Sequence, residues 1–526
     1  MADRSTTDPA LPAATARWRK RQTVGPPRPT WRFAAALMAG WLAFLWPTLV
    51  NGNAFLLADT SAYMRGADAM VSEISGLTTA WSTDKSQYLP STPPATSGTE
   101  MSATTEAPRV VLAGRSVYYG LLLYATAALG GFLAMAVLQS TLCVICATLI
   151  IVQFGRSTRR SINPQMLALV LVGTGLATSV GYFSAYMVPD IFAALAALAL
   201  AALVAFSREL PRREKIFWWL LLVAALGFHS ANLLIFALVA AVTALTFLIS
   251  GRIRQFPAAL LLSALILGVL SEIFFSTGVR AITGQAPIRP PFIAARLIDD
   301  GPGRAYLRER CAGSTLLLCE WRDRIPRGSD TILWGTSPTM ASFTMASSAD
   351  KRRLAREEHS FILAVIADRP LDVLRGSLAT IWAQASQWSL GEFNYSATER
   401  AFYKVKLPQP FLADISATRA WKEAMPVAAP TWLIRIGFAI ALAMAIAAIV
   451  GRGPKLPPPV RQFIVLLLVA IACDIVVTGA LSTPHGRYLM RMTWILPFAL
   501  LGLASVLRFG RRHSPSDVAD DLMVDE

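Results

Sequence analysis

Long apolar stretches recur along the chain, near 33–50, 130–153, 164–187, 190–206, 216–228, 231–250, 257–275, 431–450, 461–481 and 488–507. Most approach the length of about 20 residues that a helix needs to cross ~30 Å of hydrocarbon. Two runs have to be divided. The stretch 118–154 is almost uninterrupted, and as one helix it would be about 55 Å long, too much for a single crossing. Its first part, Tyr118-Tyr119-Gly-Leu-Leu-Leu-Tyr124, reads as an interfacial helix leading into one crossing. The stretch 217–250 is also too long. It is interrupted by Gly227-Phe-His229-Ser-Ala-Asn232 and reads as two crossings, the first short.

Composition agrees with that pattern. A chain of 526 residues that is 54% hydrophobic and only 16% charged belongs to the polytopic membrane class. A formal charge of +16 would suggest nucleic acid in a soluble protein. Here much of it lies in short clusters between apolar segments, which marks cytoplasmic loops rather than a nucleic-acid surface. With the N-terminus inside, those clusters are Arg17/Arg19/Lys20/Arg21, Arg156/Arg159/Arg160, Arg208/Arg212/Arg213/Lys215, Arg252/Arg254, Arg452/Lys455/Arg461 and Arg508/Arg511/Arg512. Treating 217–250 as one crossing would put the last three outside. No clear small-x-small cleavage site follows the first segment, so it reads as an anchor.

The expected fold is therefore all-α: a polytopic membrane protein of about ten transmembrane helices, with an extracytoplasmic, mostly helical domain inserted before the last three. The expected divisions are a basic cytoplasmic tail (1–32) and an N-terminal membrane domain of about seven helices (33–275) whose first outer loop is 51–117. An extracytoplasmic domain (276–430), C-terminal membrane helices (431–508) and an acidic cytoplasmic tail (509–526) follow. Both termini lie in the cytoplasm of a bacterial-type inner membrane. The Ser/Thr/Pro-rich stretch 78–108 reads as mobile. In the large outer loop, 351–390 reads as one or two amphipathic helices broken at Pro370, with Phe361, Ile362, Val365, Ile366, Leu371, Val373 and Leu374 on apolar faces. Cys311 and Cys319 share this loop, where a disulfide and free thiols both stay open. Cys143, Cys146 and Cys473 sit inside membrane segments as small packing residues.

Polar residues at the outer helix ends carry the functional signal. Asp59 follows the first segment, Arg115 precedes Tyr118-Tyr119, and Pro189-Asp190 joins the third and fourth segments. His229 and Asn232 form the turn between the fifth and sixth, and Pro484-His485-Gly-Arg487-Tyr488, with Arg491, opens the last. The basic loops that set the topology contain none of these residues, yet it places all of them at one face. Each also has a plain structural reading. Asp59 or Asp190 can serve a helix N-terminus, and His229 can satisfy turn backbone groups. Arg487 and Arg491 can be anchors, although basic anchors gather mainly on the inner side.

Leu57-Ala-Asp59-Thr-Ser-Ala-Tyr63, Gly114-Arg-Ser-Val-Tyr-Tyr-Gly120, Pro189-Asp190-Ile-Phe192, His229 and Gly486-Arg-Tyr488 together resemble the polytopic glycosyltransferases of the GT-C superfamily. The resemblance covers 33–275 and 431–508. It implies transfer of a sugar from a polyprenyl-phosphate donor to a lipid, glycan or protein acceptor at the outer face. Asp59 would be the general base, with Tyr63, Arg115, Asp190, His229, His485, Arg487, Tyr488 and Arg491 binding substrate. Carboxylates at an apolar boundary are stronger bases than in water, and arginines hold a departing phosphate by paired hydrogen bonds. Where many members carry an acidic pair, this chain has Asp59 followed by Thr60, which leaves a divalent cation open. A transporter or lipid flippase is the reading from another class. It would use ionisable groups in mid-span, of which Asp474 and Arg435 are exceptions to an otherwise apolar set. An O-antigen polymerase or ligase is the third, and the early Asp59 motif speaks against it.

Overall fold

The computed structural model describes residues 30–77, 79–83, 111–452 and 456–511. The N-terminal tail, most of the Ser/Thr/Pro-rich stretch, Lys455, Arg512 and the acidic tail lie outside the described residues. Among these residues the regular structure is helical, with isolated bridges at Phe55–Tyr186 and Leu112–Ile288 in place of strands. Among the described residues seven helices are long and apolar enough to cross a membrane, and two shorter apolar helices lie among them. The chain is built as a multi-pass membrane protein.

The N-terminal half contributes α1 (Trp31–Asn51), α2 (Ala58–Ser75), α3 (Ala80–Thr83), α4 (Val117–Thr158), α5 (Pro164–Ala177), α6 (Val180–Ser184), α7 (Ile191–Ala205), α8 (Arg212–Phe228), α9 (Ser230–Ile249) and α10 (Ala258–Thr283). Helix α4 is bent where Gly130 and Gly131 leave helical geometry, Gly131 at φ 64°, so its first part can lie at an angle to the rest. The long 217–250 run divides at His229, where the backbone turns extended. Every residue of α7 is buried. A helix apolar all round belongs at the centre of a bundle, and α7 packs among α4, α8, α9 and α20 (Pro458–Leu481).

The stretch 164–187 does not form the single continuous helix its hydropathy predicts. Helix α5 stops at Ala177, α6 is one short turn, and 185–190 run irregularly through the interior. Hydropathy cannot see this break, because the freed backbone groups are satisfied by the protein itself. Phe55 N donates to Ala185 O at 2.8 Å and Met187 N to Phe55 O at 2.9 Å. Gln139 Nε2 donates to the carbonyls of Ser184 and Tyr186. Non-helical backbone at membrane depth is tolerated only where it is buried in this way.

Between α10 and the last helices lie α11 (Phe292–Asp299), α12 (Pro302–Arg310), α13 (Leu317–Trp321), α14 (Ser329–Trp334), α15 (Ser348–Asp368), α16 (Pro370–Ser386), α17 (Ala397–Lys406) and α18 (Gln409–Ser416). This region has two parts. Residues from Ile288 to Val365 close a core of their own, while Leu390, Phe393, Tyr395, Tyr403 and Ile415 join the core of the helical bundle. The break at Pro370 separates α15 from α16. Phe361 and Val365 are buried in the small core, but Leu371 and Leu374 face outward. Cys311 and Cys319 are joined in a disulfide, eight residues apart. Loop closure of that size restricts the unfolded chain by about 2–3 kcal/mol. Changing both to serine is expected to destabilise this small core by about 2 kcal/mol, seen as protease cleavage within 288–365 at lower temperature than in the wild type.

The chain ends with α19 (Ala428–Ile449), α20, α21 (Gly486–Met490) and α22 (Ile495–Phe509). Contacts tie the basic ends together: Ser161 N donates to Arg511 O, Arg160 to Gly510 O, and Arg156 pairs with Glu214 at 2.7 Å. The ends carrying Asp59, Arg115, Asp190, His229 and 485–491 gather elsewhere, beneath the 284–427 region.

Candidate functional site

Asp59 sits in the first turn of α2, where a carboxylate complements the positive end of a helix. The approach to it is fixed from outside. Leu56 N donates to Tyr395 Oη at 2.8 Å, and Tyr403 Oη donates to Leu56 O at 3.1 Å. Thr60 Oγ1 accepts from Leu57 N and donates to Met187 O, so the motif after α1 is held by three distant segments. Asp59 itself stays partly open, with its side chain 30% exposed.

Arg115 reaches it from the start of α4, and Arg115 Nη2 donates to Asp59 Oδ1 at 2.5 Å. The segment before α4 is pinned by Ala113 N on Ile288 O, and Ser116 Oγ donates to Gly227 O at the end of α8. The Arg115 guanidinium also lies over the Trp334 ring. Beside it lies a narrow crevice lined by Gly114, Ser116, Tyr118, Ser271, Glu272 and Phe275 among others.

On the far side of an aromatic floor runs a ladder of alternating charge. Asp474, fully buried in α20, accepts from Arg491 Nη2 at 2.6 Å, and Arg491 Nη1 donates to Asp190 Oδ1 at 2.6 Å. Asp190 Oδ2 is 3.7 Å from Arg487 Nε, and Arg487 Nη1 donates to Glu392 Oε2 at 2.7 Å. Glu392 and Asp330 flank His485 at 3.7 and 3.4 Å. Side-chain exposure climbs along the arginine side, from 1% at Arg491 to 12% at Arg487. Tyr488 lies beneath both guanidinium groups.

The floor is Tyr63, Tyr119, Phe192 and Phe228, with ring centroids 5.1 Å apart for Tyr63–Tyr119, 5.7 Å for Tyr119–Phe228 and 4.8 Å for Phe192–Phe228. Burial holds the Tyr63 hydroxyl well above its usual pKa, and that hydroxyl feels the charges of Arg115, Asp59, Asp190 and Arg487 together. It remains a neutral donor. The residues singled out around the first and last helices thus share one neighbourhood.

Their individual situations differ from one another. Sequence reasoning grouped Arg491 with the ligand-binding residues, but both of its amino groups are taken by buried carboxylates, which gives it to the interior. Asp190 holds Arg491 and makes no side-chain cap to α7. His229 serves the turn, its Nδ1 accepting from Ala231 N at 3.1 Å. Burial, aided by the nearby Arg491, lowers the His229 pKa to about 4. Below pH 6.5 the unfolded chain takes up a proton there that the folded protein refuses until about pH 4. Stability therefore falls as pH drops through this window, by up to about 3 kcal/mol. His229→Gln is expected to flatten the fall in thermal midpoint between pH 6.5 and 4; an unchanged slope would assign it to other groups.

Two members of the ladder were not foreseen. Glu392 and Asp330 come from the 284–427 region, a long polar stretch where acidic residues are ordinary. The signal available for Glu392 was a carboxylate inside the apolar, aromatic run Leu390-Gly-Glu392-Phe-Asn-Tyr395. Every arginine of the site already faces a carboxylate, so an incoming anion must share or displace one. Arg115 and Arg487 are the reachable cations. No group of three or more His, Cys, Asp or Glu side chains arranged to hold a metal occurs among the described residues.

No protein-family model matches the chain, no curated protein matches it, and no solved structure matches it.

Proposed function

We propose that this protein is a membrane glycosyltransferase similar to the GT-C superfamily, moving a sugar from a polyprenyl-phosphate donor to a lipid, glycan or protein acceptor. The observation that carries the reading is one partly open carboxylate, Asp59, paired with the Arg115 guanidinium and sharing the surroundings of Tyr63 with a second partly exposed one, Arg487. In the proposed reaction the acceptor oxygen attacks the anomeric carbon as the bond to the donor phosphate breaks. The acceptor proton passes to Asp59, and the departing phosphate takes up hydrogen bonds from Arg115 and Arg487. A single displacement inverts the anomeric carbon.

The same reading has ten crossings, both termini in the cytoplasm of a bacterial-type inner membrane, and the site on the opposite face. In its support, basic residues gather where the ends of α4 and α22 meet, and none of the site residues lies there. The two mid-span ionisable groups that favoured transport are both engaged. Asp474 pairs with Arg491, and Arg435 donates to the Trp388 carbonyl.

The deciding experiment compares the glycans and lipids of cells producing the wild type with those producing Asp59→Asn. A missing saccharide with its donor lipid accumulating is expected. Unchanged glycans alongside altered uptake of a solute would replace this reading with transport.

A further inference from the structure

Helix α16 is built the wrong way round for a water-facing surface. Its inward face carries Gly376, Ser377, Thr380 and the buried Gln384, while Leu371, Leu374, Leu378 and Trp382 are 65%, 54%, 57% and 74% exposed on the outward face. The spacing of these four (three, four and four residues) is a single helical stripe. A soluble domain buries such a stripe. In lipid the preference reverses: small and polar residues turn to the neighbouring helix and apolar ones face outward.

The packing of α16 matches that arrangement. It lies along α20, a helix long and apolar enough to span. Contact is close at Gly479, where a Cβ would fall 2.7 Å from Ile381 Cα. Beyond its C-terminal end, Trp388 packs on Phe438 of α19, and Arg435 Nε donates to Trp388 O at 2.9 Å. Phe438 is ten residues into α19, about 15 Å along its axis. The neighbouring spanning helix α19 leaves apolar side chains outward in the same way, among them Ile436 and Ile440. The charged residues of α16, Asp372 and Arg375, stand in its first two turns beside Arg369 and Asp368, as expected at headgroup level.

We infer that α16 is embedded in the bilayer, its Leu371–Leu374–Leu378–Trp382 stripe covered by the acyl chains of the leaflet on the site's side. The occupant is lipid, and the proposal stands independently of glycosyl transfer. It bears on the site because Gln384, on the inward face, donates to His485 O and accepts from His485 N, both at 3.0 Å. A helix held by lipid thus fixes the backbone that presents Arg487.

Spin labels at Leu378→Cys and, separately, Leu374→Cys in the full chain, reconstituted in phosphatidylcholine–phosphatidylglycerol nanodiscs, test this. The three native free cysteines are buried. Oxygen should collide with both labels several-fold more often than a water-soluble nickel chelate, as at Ile440→Cys on α19, and opposite to Arg322→Cys in the outer region. Preference for the nickel chelate at both positions would overturn the inference by placing the stripe in water. Shielding from both reagents would overturn it in favour of a protein partner or a second copy. Either cysteine position alone suffices if the other fails to fold.

Discussion

Replacing Arg491 with methionine is expected to leave little folded protein. The guanidinium is 1% exposed and bridges two carboxylates, Asp190 and Asp474, at 2.6 Å each. Taking it away strands two negative charges in a low-dielectric interior, with Arg487 Nε only at 3.7 Å from one of them. Breaking a buried pair in this way costs about 3–5 kcal/mol, a large part of a net stability of roughly 5–15 kcal/mol. Lysine should not substitute, because one ammonium cannot reach both carboxylates with a planar fork. Adding Asp474→Asn to the methionine variant should recover part of the loss, since a single stranded carboxylate is less costly than two. The measurement is the thermal midpoint and monodisperse yield in detergent. A wild-type midpoint for Arg491→Met would mean that the ladder does not hold the bundle together and that Arg491 is available to a ligand.

Asp59→Asn is expected to have the opposite profile, with the fold kept and transfer lost. Its side chain is 30% exposed, and an asparagine carbonyl still accepts from Arg115. Loss of a general base lowers a rate by about 10²–10⁴-fold, which is roughly 3–5 kcal/mol on the barrier. The measurement is transfer of sugar from a polyprenyl-phosphate donor by purified protein, with the thermal midpoint taken alongside. Near-normal transfer rejects Asp59 as the base. Transfer lost together with a collapsed midpoint would move Asp59 from chemistry to architecture, alongside Arg491. The two substitutions therefore separate the parts of the site: one carboxylate left open towards solvent, and one arginine closed away from it.

The pairing of Arg115 with Asp59 was legible only in part. Both lie beside apolar segments predicted to emerge on one face, and hydropathy with basic-loop counting is enough to bring them to the same side. That they touch depends on Ser116 bonding to the end of α8 and on Ala113 bonding to Ile288, contacts between segments over a hundred residues apart. Glu392 was illegible for the same reason. A carboxylate in a long stretch between apolar segments has no pattern of its own, and its role comes from Phe393 inserting among Phe55, Tyr182, Phe183 and Tyr186. Helix α16 misled for a different reason. An amphipathic stripe shows which residues avoid water, but it does not say whether protein or lipid covers them.

Hydropathy alone determined the membrane class, the positions of the long helices and the split at His229, because crossing hydrocarbon is a local demand that each segment meets with its own residues. It could not reveal the break after Ala177, the ladder from Asp474 to Asp330, or the outward stripe of α16. These depend on which distant groups satisfy a freed carbonyl, pair with a buried charge or decline to cover an apolar face. Such energies belong to pairs of segments rather than to either one, and only the folded arrangement brings the pairs together.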